Sequence, residues 1–138
     1  MHVILFGGNR LKENGPLGNL AVELLENGIQ FTLLTDPMHL EMQTETFPNF
    51  KTQLNNENIN YKVLDSLDVD QLEGLLIDSP IGLSVNSNWI FSEQIIQTFS
   101  GRLYNYHNAA LPRERGAACY TWKILMRSMN TTLTLHEI

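Results

Sequence analysis

Two hydrophobic periods take turns along this chain. His2 to Gly8 (HVILFGG) is a short, nearly continuous apolar run that closes on glycines, the pattern of a central strand buried on both faces. Leu17, Leu20, Ala21, Leu24 and Leu25 then recur at helical spacing as far as Gly28, with Pro16 placed for the first turn of that helix. Gly7, Gly8, Asn9, Asn14 and Gly15 form the loop between them. Ile29 to Thr35 (IQFTLLT) predicts a second strand, and Asp36-Pro37 an N-cap followed by a first-turn proline. From Met38 to Asn58 the periodicity is poor, broken by Pro48 and the NNEN run, and it predicts one short helix and a surface loop.

Ile59 to Leu64 (INYKVL) alternates, as a strand near a sheet edge does. Asp68 and Gln71 have the spacing of a capping box, predicting a helix through Ile77 that Pro80 ends. Ile81 to Val85 reads as a buried strand with a polar exit, Asn86-Ser87-Asn88-Trp89. Ser92 is placed to cap a helix carrying Ile95, Ile96 and Phe99, closed by Gly101. Leu103, Tyr104 and Tyr106 open another strand. After Gly116 a helix carries Tyr120, Trp122, Ile124, Leu125 and Met126, expected as core and cover, and Thr131 to Ile138 (TTLTLHEI) is a last β-type run. Strands alternating with helices predict one α/β domain over residues 1–138, a Rossmann-like three-layer α/β/α arrangement with a mostly parallel sheet.

Composition narrows the partners. The 138 residues are 43% hydrophobic and 17% charged, a globular balance. A formal net charge of -6 repels phosphate backbones, so no nucleic-acid partner is expected. No apolar run is long enough for a bilayer, and a cytoplasmic protein without membrane contact is the expectation. Cys119 is the only cysteine, so no internal disulfide forms; no base is fixed beside it by sequence, and a packed or idle thiol is expected. His2, His39, His107 and His136 lack metal-ligand spacing, and no metal is expected.

The candidate chemistry lies in Leu103 to Gly116 (LYNYHNAALPRERG), where a strand turns polar and Pro112 forbids further pairing. Side chains two apart on a strand share a face, so Asn105 and His107 stand side by side. An amide NH2 donates without charge and an imidazole moves a proton near neutral pH, which suits a carbonyl becoming a tetrahedral oxyanion under attack by an amine. In open α/β sheets ligands bind outside the carboxyl ends of the strands, where this pair lies. The same two residues could instead satisfy backbone groups at the strand end. The glycine loop with Gly8 and Asn9 offers a phosphate cradle, although it is neither GxGxxG nor a Walker A sequence, and turn geometry alone also requires glycines there. Asp36 sits where a ribose-binding acid stands in dinucleotide folds; without the fingerprint, the N-cap role is preferred.

Asn105-Tyr106-His107 followed by Leu111-Pro112-Arg113-Glu114-Arg115-Gly116 resembles the signature of the folate-dependent formyltransferase family, which includes methionyl-tRNA formyltransferase, glycinamide ribonucleotide transformylase and the sugar N-formyltransferases. The resemblance is clear from Ile81 to Ile138 and general before that. It implies the formyltransferase fold and formyl transfer from 10-formyltetrahydrofolate to a primary amine of a small molecule, without a metal. By the same resemblance Asn105 stabilises the oxyanion, His107 handles the proton, and Trp89, Ile90 and Phe91 belong to the exit facing the pterin, where Trp89 and Phe91 either line that pocket or cover the sheet. Gly8 and Asn9 correspond to a loop that some relatives use for the acceptor's phosphate, while Asn108 holds the turn and Arg115 meets an acceptor anion or a backbone carbonyl. Trp122-Lys123-Ile124-Leu125 is similar to the sugar N-formyltransferases and suggests an amino-sugar nucleotide.

The sequence departs from the family twice. Cys119 stands where many members carry proline. The family's aspartate, which orients the histidine, lies on a loop that here would begin just past Ile138. The domain is therefore expected to be incomplete at its C-terminus and the chain, as it stands, nearly inactive, with Glu137 a poor substitute. An edge exposed at Thr131 to Ile138 could pair between chains in a homodimer. The alternative expectations are a noncatalytic folate- or nucleotide-binding or scaffold domain of the same fold, and an unrelated Rossmann-like nucleotide binder.

Overall fold

The computed structural model describes residues 1–9, 15–44, 46–116 and 119–138, apart from the side chain at position 120. Strands β1 (His2–Gly7), β2 (Gln30–Thr35), β3 (Tyr61–Val63), β4 (Ile81–Val85), β5 (Leu103–His107) and β6 (Thr134–Glu137) form one sheet in the order β3-β2-β1-β4-β5-β6. All neighbours run parallel except β6, which is antiparallel to β5. The chain winds outward from β1 to β3, then returns to β1's other side with β4. Winding therefore reverses between β1 and β4, and the crevice at their carboxyl ends is where such sheets take ligands.

β1 is buried on both faces because its side chains alternate between two cores. Val3 and Leu5 pack with Leu17 and Ala21 of α1 (Pro16–Glu26), Leu40 of α2 (Pro37–Glu41), and Phe50 and Leu54 of α3 (Phe50–Asn56). Ile4 and Phe6 pack on the other face with Leu72 of α4 (Val69–Leu72) and Ile95 and Phe99 of α5 (Glu93–Phe99). These are the three layers the strand and helix alternation predicts. Gly82 of β4 is held small by α5 and β5, since a Cβ there would lie 2.5 Å from Leu103 Cδ1 and 2.8 Å from Phe99 Cε1.

Local signals place most boundaries. Pro16 opens α1, Asp36 caps α2 through the His39 backbone N–H, Asp68 and Gln71 make both bonds of a capping box, and Ser92 caps α5. β3 is indeed an edge strand. Three expectations need correction. The segment from Met38 to Asn58 holds most of α2 and all of α3, and α3 buries Phe50, Gln53 and Leu54, because an Asn49 cap and three inward positions suffice for a two-turn helix without a longer period. α4 stops at Leu72 instead of reaching Ile77, as Gly74 takes φ +79° and turns the chain. The helix after Gly116, α6 (Cys119–Leu125), is not core: Trp122 is 58% exposed and Ile124, Leu125 and Met126 are more so, because no layer of the fold lies over them. The expectations for Asn14 and for the Tyr120 side chain lie outside the described residues.

Candidate active site

β5 carries Asn105 and His107 to the carboxyl end of the sheet, both half-buried. Beyond it residues 108–116 fold back as a turn-rich loop in which the Leu111–Pro112 peptide is cis. Between strand end and loop lies a shallow cavity of about 530 Å³, lined by Asn105, His107, Leu111, Pro112, Arg115, Gly116 and His136. Asn105, His107 and Arg115 of the predicted site thus meet in one place.

His107 Nε2 lies 3.1 Å from the Glu114 carbonyl oxygen. A carbonyl only accepts, so Nε2 carries the proton and neutral His107 keeps its lone pair on Nδ1. The loop that offers this carbonyl is tied down by the Glu114 side chain. Glu114 Oε2 accepts from the Ala110 backbone N–H at 2.9 Å and pairs with Lys123 Nζ at 3.0 Å. The Ala110 N–H first, and then Lys123, hold this carboxyl below its usual range against the opposing effect of desolvation. Arg115 Nε donates to the Pro112 carbonyl at 3.0 Å. Cys119 begins α6 with its sulfur 3.3 Å from the Gly116 carbonyl and 3.9 Å from His107 Nε2. It is packed beside the histidine, a neighbour that no sequence spacing revealed.

His136 is the residue that the sequence reading did not place at the site. In the β5–β6 ladder it stands directly opposite Asn105, and its Nε2 lies 3.2 Å from Asn105 Nδ2. Its ring meets that of His107 edge to face at 6.4 Å between centroids. The signal was the alternation in Thr134-Leu135-His136-Glu137, which sends Thr134 and His136 to the less exposed face. Only the antiparallel register makes that face the cavity's.

No protein-family model matches the chain, and no curated protein sequence is similar to it. Solved structures are. Phosphoribosylglycinamide formyltransferase from Bacillus halodurans superposes with a TM-score of 0.70 at 17% identity over 100% of this chain and 72% of its own. The corresponding enzyme from Anaplasma phagocytophilum gives 0.70 at 13% over 99% and 63%. A formyltetrahydrofolate deformylase from Pseudomonas syringae pv. tomato gives 0.68 at 15% over 99% and 45%. The chain has the formyltransferase fold. It spans less than two thirds of the length of the latter two structures.

Within that formyltransferase fold the remaining predicted residues take separate positions. Asn108 lies in the bend just after β5. Phe91 packs edge to face on the buried Phe6 at 5.1 Å, and Trp89 packs against the same core, so both cover the sheet. Ile90 between them is 92% exposed. Asn9 is fully buried, its amide donating to Gln53 Oε1 at 3.3 Å and accepting from the Gly18 N–H at 3.4 Å. Gly8 lies under the His39 ring, where a Cβ would come 2.5 Å from His39 Cγ and 2.8 Å from its Cδ2.

That ring belongs to a polar cluster at the β1–β4 switch point. His39 Nδ1 lies 2.6 Å from Asp36 Oδ2, and Asn88 from the β4 exit donates to the same oxygen at 3.0 Å. Desolvation opposes ionisation of Asp36, yet the bonds from the His39 backbone and ring, with Asn88, keep its carboxyl below the usual range. A second cavity of about 560 Å³ opens at the amino ends of β1 and β2, lined among others by His2, Gln30 and Asp78. It lies at the opposite strand ends from the candidate chemistry.

Proposed function

We propose that this domain transfers a formyl group from 10-formyltetrahydrofolate to a primary amine of a small molecule. The observation that carries the reading is Asn105 and His107 standing together at one cavity, inside the fold of formyltransferases. The amine nitrogen attacks the formyl carbon to give a tetrahedral oxyanion. An Asn105 N–H donates to that oxygen, which is worth most in a site where water is excluded. His107 Nδ1 accepts the proton that the amine loses and returns it to the folate nitrogen as the bond from formyl carbon to that nitrogen breaks. Arg115 at the cavity rim supplies a cation for an anionic acceptor. An amino-sugar nucleotide is the acceptor we favour, on the sequence Trp122 to Leu125.

Among the described residues no carboxylate lines the cavity. The Glu114 carbonyl fixes the His107 tautomer without adding the charge that steadies an imidazolium. On this ground we propose that the 138 residues by themselves turn over slowly. The same observation favours a second reading, a domain of this fold that binds folate without catalysis. We also propose a homodimer through the outer edge of β6, where Leu133 and Leu135 are exposed, whereas the opposite edge, β3, is three residues long with Lys62 at its centre.

Fluorescence titration with 5-formyltetrahydrofolate, together with formyl release from 10-formyltetrahydrofolate onto test amines, separates the readings. Measurable transfer lost in both Asn105→Ala and His107→Ala supports catalysis. Saturable folate binding with no transfer in any variant supports the noncatalytic domain, and absence of folate binding overturns both.

A further inference from the structure

We infer that His136 is the positioning residue for Asn105, and that its protonation selects which end of the Asn105 amide turns away from it. His136 Nδ1 lies 2.9 Å from the Glu137 carbonyl oxygen. That oxygen can only accept, so Nδ1 carries the proton, and in the neutral ring Nε2 is left with a lone pair. Asn105 Nδ2, at 3.2 Å, donates to it. An amide oxygen in that place would face a lone pair and gain nothing, so the neutral imidazole holds the amide with its NH2 toward β6. One of the two N–H groups is thereby engaged, and a single N–H is left to donate elsewhere.

A second proton on His136 reverses the requirement. Imidazolium is a donor at both nitrogens, so Nε2–H now faces an NH2 that cannot accept. Turning the amide by half a rotation about its last torsion brings Oδ1 to Nε2 and sends both N–H groups to the other side. No backbone movement is needed, because Asn105 and His136 are direct partners in the β5–β6 ladder. Other charged and titratable groups act on the same imidazole. His107 of β5 meets it edge to face, and Arg115 of the loop lines the same cavity. Glu137, next on its own strand, is on the opposite, exposed face.

The consequence for chemistry rests on the reading of Asn105 as the oxyanion donor: the number of N–H groups it can offer depends on a group 31 residues away in sequence. The test needs neither folate nor amine, so failure of formyl transfer leaves it intact. Nitrogen-15 NMR of the labelled chain from pH 5 to 8 reads the His136 tautomer and the Asn105 side-chain NH2 signals together. The expected result is an Nδ1–H tautomer at the alkaline end and Asn105 NH2 shifts that move together with the His136 ring signals. In His136→Gln, whose side chain still offers an acceptor but does not titrate, the Asn105 signals should keep their alkaline positions and lose that pH-dependent movement. An Nε2–H tautomer, NH2 signals that stay fixed while His136 titrates, or movement retained in His136→Gln overturns the inference. Should His136→Gln fail to fold, His107→Gln removes the other imidazole, and movement that disappears in that variant overturns it equally.

Discussion

The carbonyl of Glu114 holds Nε2 of His107 at 3.1 Å, so one loop residue fixes the tautomer of the histidine that begins the loop. The geometry depends on the Glu114 side chain, which ties the loop to itself through Ala110 and to α6 through Lys123. Glu114→Gln should keep the carbonyl but loosen its placement. Amide hydrogen exchange at residues 110–116 is expected to speed up in the variant while the core strands stay protected. In the parent chain the Glu114 carboxyl is depressed from 4.5, so the tie is complete above that value and is lost as pH falls through the depressed one. Equal exchange in variant and parent at pH 7 contradicts this account.

Asp36 and His39 set a second pH dependence, this one of global stability. Asp36 is buried, accepts from His39 and Asn88, and has its carboxyl held below the ordinary value of 3.8. A depressed folded-state pKa contributes stability above the unfolded value and loses it as pH falls through the folded one. Asp36→Asn is expected to cost about 1.5–3 kcal/mol at pH 7, the usual range for a hydrogen bond to a charged group. The difference should shrink below pH 3.8. Urea midpoints of both proteins between pH 3 and 7 measure it.

Gly7→Ala should be among the most damaging single changes. Gly7 sits at φ +119°, and a Cβ there would be 2.1 Å from the Val85 carbonyl oxygen and 2.9 Å from the Ser87 N–H. Both obstacles are backbone, so neither can swing aside. A loss on the order of 3 kcal/mol is expected from strained backbone plus overpacking, against almost none for Gly28→Ala beyond the cost of its own positive φ, because nothing lies within 4 Å there. Thermal melts of the two variants rank them directly.

Leu135→Lys addresses association. Leu135 is 60% exposed on β6, and a lysine there gives this edge what Lys62 gives the other. If copies pair through β6, light scattering should show the parent shifting to dimer with rising concentration and the variant remaining monomeric. Identical masses at all concentrations remove β6 as the interface.

Why some of this was legible in sequence follows from what each signal encodes. β1 and β4 were readable because a strand buried on both faces has to be apolar almost throughout, and a helix cap needs a side-chain oxygen at one defined position, as at Asp36, Asp68 and Ser92. Asn105 and His107 were readable as a pair because two residues apart on one strand is a local relationship. His136 was not, since it reaches the site only through pairing with β5, and pairing register is not written in either strand alone. Phe50 and Leu54 escaped for a similar reason: a two-turn helix shows too few periods to separate it from a loop. The apolar residues of α6 were misjudged because hydrophobicity states a preference for burial, while the layers of the fold decide whether anything is there to bury it.

β6 is hydrogen-bonded on its β5 side and is the last strand in the sheet. A terminal strand opens more readily than an inner one, and when it leaves, Asn105 loses the partner that aims it. For the folate binding proposed above, the fraction of molecules ready to bind would be capped by the fraction with β6 docked, and the apparent dissociation constant would rise in inverse proportion. Thr134, whose hydroxyl donates to the Ala109 carbonyl at 2.6 Å, is one of the clasps on that strand. On that proposal, affinity would be tuned at a distance, by residues that grip or release one ribbon of backbone and never touch a ligand.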